Sequence, residues 1–113
     1  MTNSKQKGKR GELELVKRLK DILPGKPWRR SQQFCGANGD ADVVGVKDLH
    51  IECKRVEAGT KKVYDWLDQA ERDARSDQVP VIMHKANLQP WLCIVPLDRL
   101  IELSAIIQRE LEG

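Results

Sequence analysis

The chain has 113 residues, of which 40% are hydrophobic and 33% charged. That is enough for one compact domain over residues 1–113, burying somewhat under about 70% of its unfolded surface, and too little for a second independent core. No apolar run approaches the roughly 20 residues that span a bilayer, and Met1 to Arg10 is polar and basic rather than signal-like, so a cytoplasmic setting is expected. Net charge is +3 with a pI near 8.8, too mild by itself to demand a polyanionic partner.

Residues 1–7 read as a mobile basic arm. From Gly8 to Leu23 the apolar residues Leu15, Val16, Leu19, Ile22 and Leu23 fall at helical spacing, and Pro24-Gly25 stops the run. Glu12 lies on the side of Val16, Leu19 and Leu23, whereas Glu14 points away. An acid there can be a macrodipole complement or an inward-facing functional group, and the helix alone does not choose.

Trp28 to Phe34 is expected as a first strand, and Cys35-Gly-Ala-Asn-Gly39 as a loop. Ala41 to Val46 and Leu49 to Arg55 then form a hairpin. On the latter strand Glu52 and Lys54 share one face and Ile51 and Cys53 the other. A two-residue connection would set Asp42 against Cys53. A three-residue loop at Val46-Lys47-Asp48 sets it against Glu52, which is the register expected.

Thr60 is placed to cap a second helix that carries Val63, Trp66, Leu67, Ala70 and Ala74 on one stripe, flanked by Gln69. Val79 to Met83 and Trp91 to Val95 read as strands, and Leu97 to Leu111 as an amphipathic helix with Asp98 as its cap. The predicted order is α-β-β-β-α-β-β-α. Cys35, Cys53 and Cys93 are odd in number and widely spaced, matching neither a disulfide framework nor, with His50 and His84, a zinc pattern.

Asp42 with Glu52-Cys53-Lys54 is the informative constellation. Two adjacent carboxylates repel unless a cation sits between them, and magnesium is held by one or two carboxylates and a backbone carbonyl. Asp42, Glu52 and the Cys53 carbonyl can form that set, with Glu12 serving a second cation directly or through water. The Lys54 ammonium beside it can orient water or stabilise transition-state charge. Such a group suits phosphodiester hydrolysis. Basic residues at Lys5, Lys7, Lys9, Arg10, Arg29, Arg30, Lys54, Arg55, Lys61 and Lys62 fit a phosphate backbone as partner.

These residues resemble the PD-(D/E)XK nuclease superfamily over roughly residues 8–95, with Asp42 and Glu52-Cys53-Lys54 as its motif. Gly8-Lys9-Arg10-Gly11-Glu12 and Ile51-Glu-Cys-Lys54 look most like archaeal-type and phage Holliday junction resolvases. The resemblance implies a restriction-endonuclease-like α/β core, α-β-β-β-α-β with a mixed central sheet flanked by helices, plus an extra strand and a C-terminal helix. It implies Asp42 and Glu52 as ligands of Mg2+ (or Mn2+), Lys54 as catalytic lysine, Glu12 as the additional acid and Gln69 as a residue lining the site. Ala41 stands where the motif name has proline, Asp40 is a rival ligand, and Cys35 replaces a serine common in that loop.

Three functions follow as expectations. The first is a homodimeric endonuclease cutting branched DNA, gripped by Lys7, Lys9, Arg10, Arg29, Arg30, Arg55, Lys61 and Lys62. The second is a nickase or a nuclease for flaps or single strands. The third is a binding module whose acidic cluster is vestigial.

Overall fold

The computed structural model describes residues 4–31, 41–57 and 60–113, with residues 4–7 and 60 as backbone only. Phe34, the Cys35 to Gly39 loop and Asp40 lie outside the described residues. The elements are α1 (Ser4–Ile22), β1 (Arg29–Arg30), β2 (Val43–Val44), β3 (Leu49–Arg55), α2 (Val63–Asp73), β4 (Val79–Lys85), β5 (Leu92–Ile94) and α3 (Leu100–Glu112). Their order is the predicted one. α1 begins at Ser4 rather than Gly8, so the basic segment is helical from there, as its helix-favouring lysines and arginine allow.

The strands form one sheet in the order β1-β2-β3-β4-β5, antiparallel except for the parallel β3–β4 pair at its centre. A parallel pair needs a crossover, and α2 supplies it. Along β3 and β4 the side chains alternate. Leu49, Ile51, Val79 and Val81 face a core that Leu15, Val16 and Leu19 of α1 and Ile106 of α3 complete. Glu52, Lys54, Ile82 and His84 face the opposite side, where Trp66 of α2 packs on His84. The chain is thus a mixed α/β fold with a five-stranded sheet flanked by three helices, compatible with the restriction-endonuclease-like expectation.

Two expected caps are corrected. The α2 N-cap is Lys62, preceded by a 3-10 turn over Thr60–Lys62, and no side chain caps it. Likewise Leu97–Arg99 is a 3-10 turn, α3 starts after Arg99, and Asp98 makes no cap bond. In both places the tighter turn takes up the first backbone groups before the α-helix begins.

Candidate active site

Val43 pairs with Ile51, the register expected from a three-residue connection. The ladder is irregular one residue earlier, because the Asp42 N–H also donates to the Ile51 carbonyl, at 2.9 Å. Two residues therefore face one, as in a β-bulge, which re-aims the side chain at the irregular position. Asp42 Oδ2 accepts the Cys53 N–H at 2.8 Å, and its carboxyl comes within hydrogen-bonding reach of Glu52. In a strand the N–H and C=O of one residue point to the same edge, so the Cys53 carbonyl also faces Asp42.

Burial, followed by the charge of Glu52, pushes the Asp42 carboxyl up to about 7, with Glu12 adding to the rise and the Cys53 N–H opposing it. Burial alone would raise Glu52 too. Hydrogen bonds from His50 and from protonated Asp42, with the charges of His50 and Lys54, outweigh it and hold Glu52 below the usual range. The two acids are therefore pushed apart, Asp42 up and Glu52 down, so that Asp42 is the one of the pair to be protonated first as pH falls. The His50 ring is 1% exposed and its Nε2–H donates to Glu52 Oε1 at 2.9 Å. His50 sits two residues before Glu52 on the same strand face, and period-two alternation is the signal that could have marked it as a partner. Burial, then the charges of Asp42, Glu12 and Glu14, push the Cys53 thiol to about 12, so it stays a neutral thiol.

Glu12 reaches this neighbourhood from α1. Gly11 makes that possible, since a Cβ there would lie 2.6 Å from Arg55 Cβ, and only a glycine lets the helix approach β3 so closely. Glu12 is largely buried and its Oε1 accepts from Arg30 Nε at 2.8 Å. Lys54, on the face of Glu52, has Nζ 5.9 Å from the Trp66 ring centroid. Gln69 is exposed on α2.

The expected phosphate contacts divide. Lys9, Arg10, Arg29, Lys61 and Lys62 are exposed, while the Lys7 side chain lies outside the described residues. Arg29 pairs with Val44, which alternates with core Val43, and so stands on the face of Glu52. Arg30 is engaged by Glu12. Arg55 donates to Glu14, Glu57, Asn87 and the Lys85 carbonyl, so its guanidinium ties α1 to the sheet.

A family model described as "Phage putative PDDEXK endonuclease" matches residues 3–110. The chain belongs to this PD-(D/E)XK nuclease family. No curated protein and no solved structure matches it significantly. Membership makes the protein a nuclease, and nucleases of this type generally use divalent metals and bind DNA. No described helix is long and apolar enough to cross a membrane.

Among the described residues, no three His, Cys, Asp or Glu side chains stand arranged to hold a metal ion. Asp42 and Glu52 nevertheless fit a hard cation. Two packed carboxyls, one of them pushed up to about 7 by burial and by the charge of the other, form an oxygen donor set in which a divalent ion can relieve the repulsion.

Proposed function

We propose that this nuclease is a divalent-metal-dependent endodeoxyribonuclease that hydrolyses phosphodiesters at branched DNA, as a Holliday junction resolvase does. The observation that carries the reading is the β2–β3 register that brings the Asp42 carboxyl to the Cys53 N–H and beside Glu52, with Lys54 on the face of Glu52, a packed pair of acids that calls for a cation. Asp42, Glu52 and the Cys53 carbonyl would hold Mg2+ (or Mn2+). When bound, such an ion neutralises phosphate charge and lowers the pKa of a water.

The chain's own residues do the rest. Nε2–H of His50 fixes the Glu52 carboxylate and keeps it ionised. Lys54 presents its ammonium on the same face, to orient the attacking water or meet charge developing on the phosphate. Glu12 adds negative charge at the rim and can hold a second cation through water, while Gln69, exposed on α2, would line the site as the family resemblance implies. Lys9, Arg10, Arg29, Lys61 and Lys62 supply contacts along the DNA backbone. Paired cuts at a branch call for two sites, hence a homodimer, and the exposed apolar side chains of Leu97 and Ile101, each 80% exposed, support such an association.

Synthetic four-way junction, flap, duplex and single strand, incubated with and without magnesium, test the proposal. Paired, magnesium-dependent cutting of the junction in preference to the others is expected. Preferred cutting of a flap or nick transfers the reading to the nickase alternative. Binding without cleavage of any substrate overturns it in favour of a binding module.

A further inference from the structure

We infer that Trp66 and His84 are positioning residues that hold Lys54 in its working place, an inference that rests on Lys54 serving the hydrolysis proposed above. A lysine carries a compact charge on a flexible four-carbon stem, so its use depends on what confines it. Here the confinement is a closed circuit. His84 lies across from Lys54 in the parallel β3–β4 register and on the same sheet face. A carbonyl can only accept, so His84 Nδ1 carries its proton and donates to the Lys54 carbonyl at 2.8 Å. That bond fixes the imidazole, which is 6% exposed. The imidazole in turn seats the Trp66 indole, tilted at 47° with ring centroids 5.3 Å apart. The indole then faces back to Lys54, whose Nζ lies 5.9 Å from its centroid, within range of a cation–π attraction.

As apolar cover for the sheet, Trp66 would need only bulk. The circuit adds two requirements that bulk does not meet, a π face for the ammonium and an N–H for the Lys54 carbonyl. Both act on one residue, the one next to the Asp42 and Glu52 pair. Such support sets how often the ammonium is poised and leaves DNA affinity alone.

The test compares Trp66→Phe with Trp66→Leu, and His84→Asn with His84→Leu. Phe keeps a π face and Leu does not. Asn places an N–H close to the Nδ1 position and Leu does not. Two readouts are taken: the single-turnover cleavage rate with the DNA dissociation constant, and the NMR position of the Lys54 ε-methylene in DNA-free protein, assigned with Lys54→Arg.

The inference expects an upfield, ring-current-shifted methylene in the unsubstituted protein and in Trp66→Phe, lost in Trp66→Leu. It expects cleavage within about threefold in Trp66→Phe and roughly tenfold slower in Trp66→Leu, with DNA affinity unchanged. His84→Asn should retain more rate than His84→Leu. Equal rates in Trp66→Phe and Trp66→Leu, or an unshifted methylene in the unsubstituted protein, overturn it. If Trp66→Leu fails to fold, the methylene position and the His84 pair decide. A protein that cuts nothing refutes the proposed function, whereas a cutting protein with an unshifted methylene refutes only the positioning role.

Discussion

Asp42→Asn should abolish cleavage and yet make the metal-free protein more stable at pH 8. The folded carboxyl titrates at about 7 against 3.8 for an ordinary aspartate, mainly through burial and the charge of Glu52. Between those values the native state binds more protons than the unfolded chain, so stability falls as pH rises through the window and the deficit is complete above about 7. Glu52, held below its usual range, is already ionised there and adds no slope. At about 1.36 kcal/mol per unit, a shift of roughly three units sets a ceiling near 4 kcal/mol, and relaxation around a partly accessible group leaves on the order of 2 kcal/mol. Asparagine removes the charge while keeping an oxygen for the Cys53 N–H and an amide to donate to Glu52. Thermal unfolding in a chelator should therefore show the variant higher by roughly 8 °C at pH 8 and by clearly less at pH 5, which lies only part-way up the window from 3.8 to about 7. Magnesium should raise the parent midpoint at pH 8 and leave the variant unmoved. A variant less stable than the parent at pH 8, or a gain of the same size at both pH values, refutes the reasoning.

Glu52→Gln and Lys54→Ala should each lower the cleavage rate at least about 100-fold while the DNA dissociation constant stays within a few-fold, as a gel-shift titration would read. Replacing both Lys9 and Arg10 with alanine should weaken binding and flatten the log–log salt dependence by about one unit for each lost phosphate contact, and an unchanged slope would take both out of the interface. Gly11→Ala sets a methyl 2.6 Å from Arg55 Cβ. It should cost about 1–3 kcal/mol in chemical denaturation, with cleavage falling as Glu12 moves off the site.

Much of the architecture was legible because burial imposes period on sequence. Leu49 to Arg55 alternates cleanly, and the structure has that strand over the same residues, with Glu52 and Lys54 on one side. The α1 stripe of Leu15, Val16 and Leu19 is equally direct, since the same three residues fill the core. What escaped is set by contacts that no periodicity encodes. The irregular ladder at Asp42 is a backbone hydrogen-bond pattern, visible only once β2 and β3 are paired. Arg55 counts as a cation in the sequence but is consumed by Glu14, Glu57 and Asn87, partners 2 to 41 positions away. The 3-10 starts of α2 and α3 depend on packing at each helix entry, and neither Thr60 nor Asp98 announces them.

The acids of the site each have a different stand-in for a cation. Asp42 keeps a proton, Glu52 takes the N–H of His50, and Glu12 takes the guanidinium of Arg30. These substitutes differ in how readily they yield. The Arg30 pair and the His50 bond are each made by a partner fixed in the sheet, so they persist and orient the carboxylates they touch. The Asp42 proton is held mainly by burial and by the charge of Glu52, with a hydrogen bond to Glu52 and the charge of Glu12 adding to them, and a divalent ion between the acids offsets both the repulsion and the cost of a buried charge. Of the three, Asp42 is therefore the acid whose charge state a bound cation would change, while Glu52 is already held below its usual range by His50 and Glu12 is already oriented by Arg30 before it arrives.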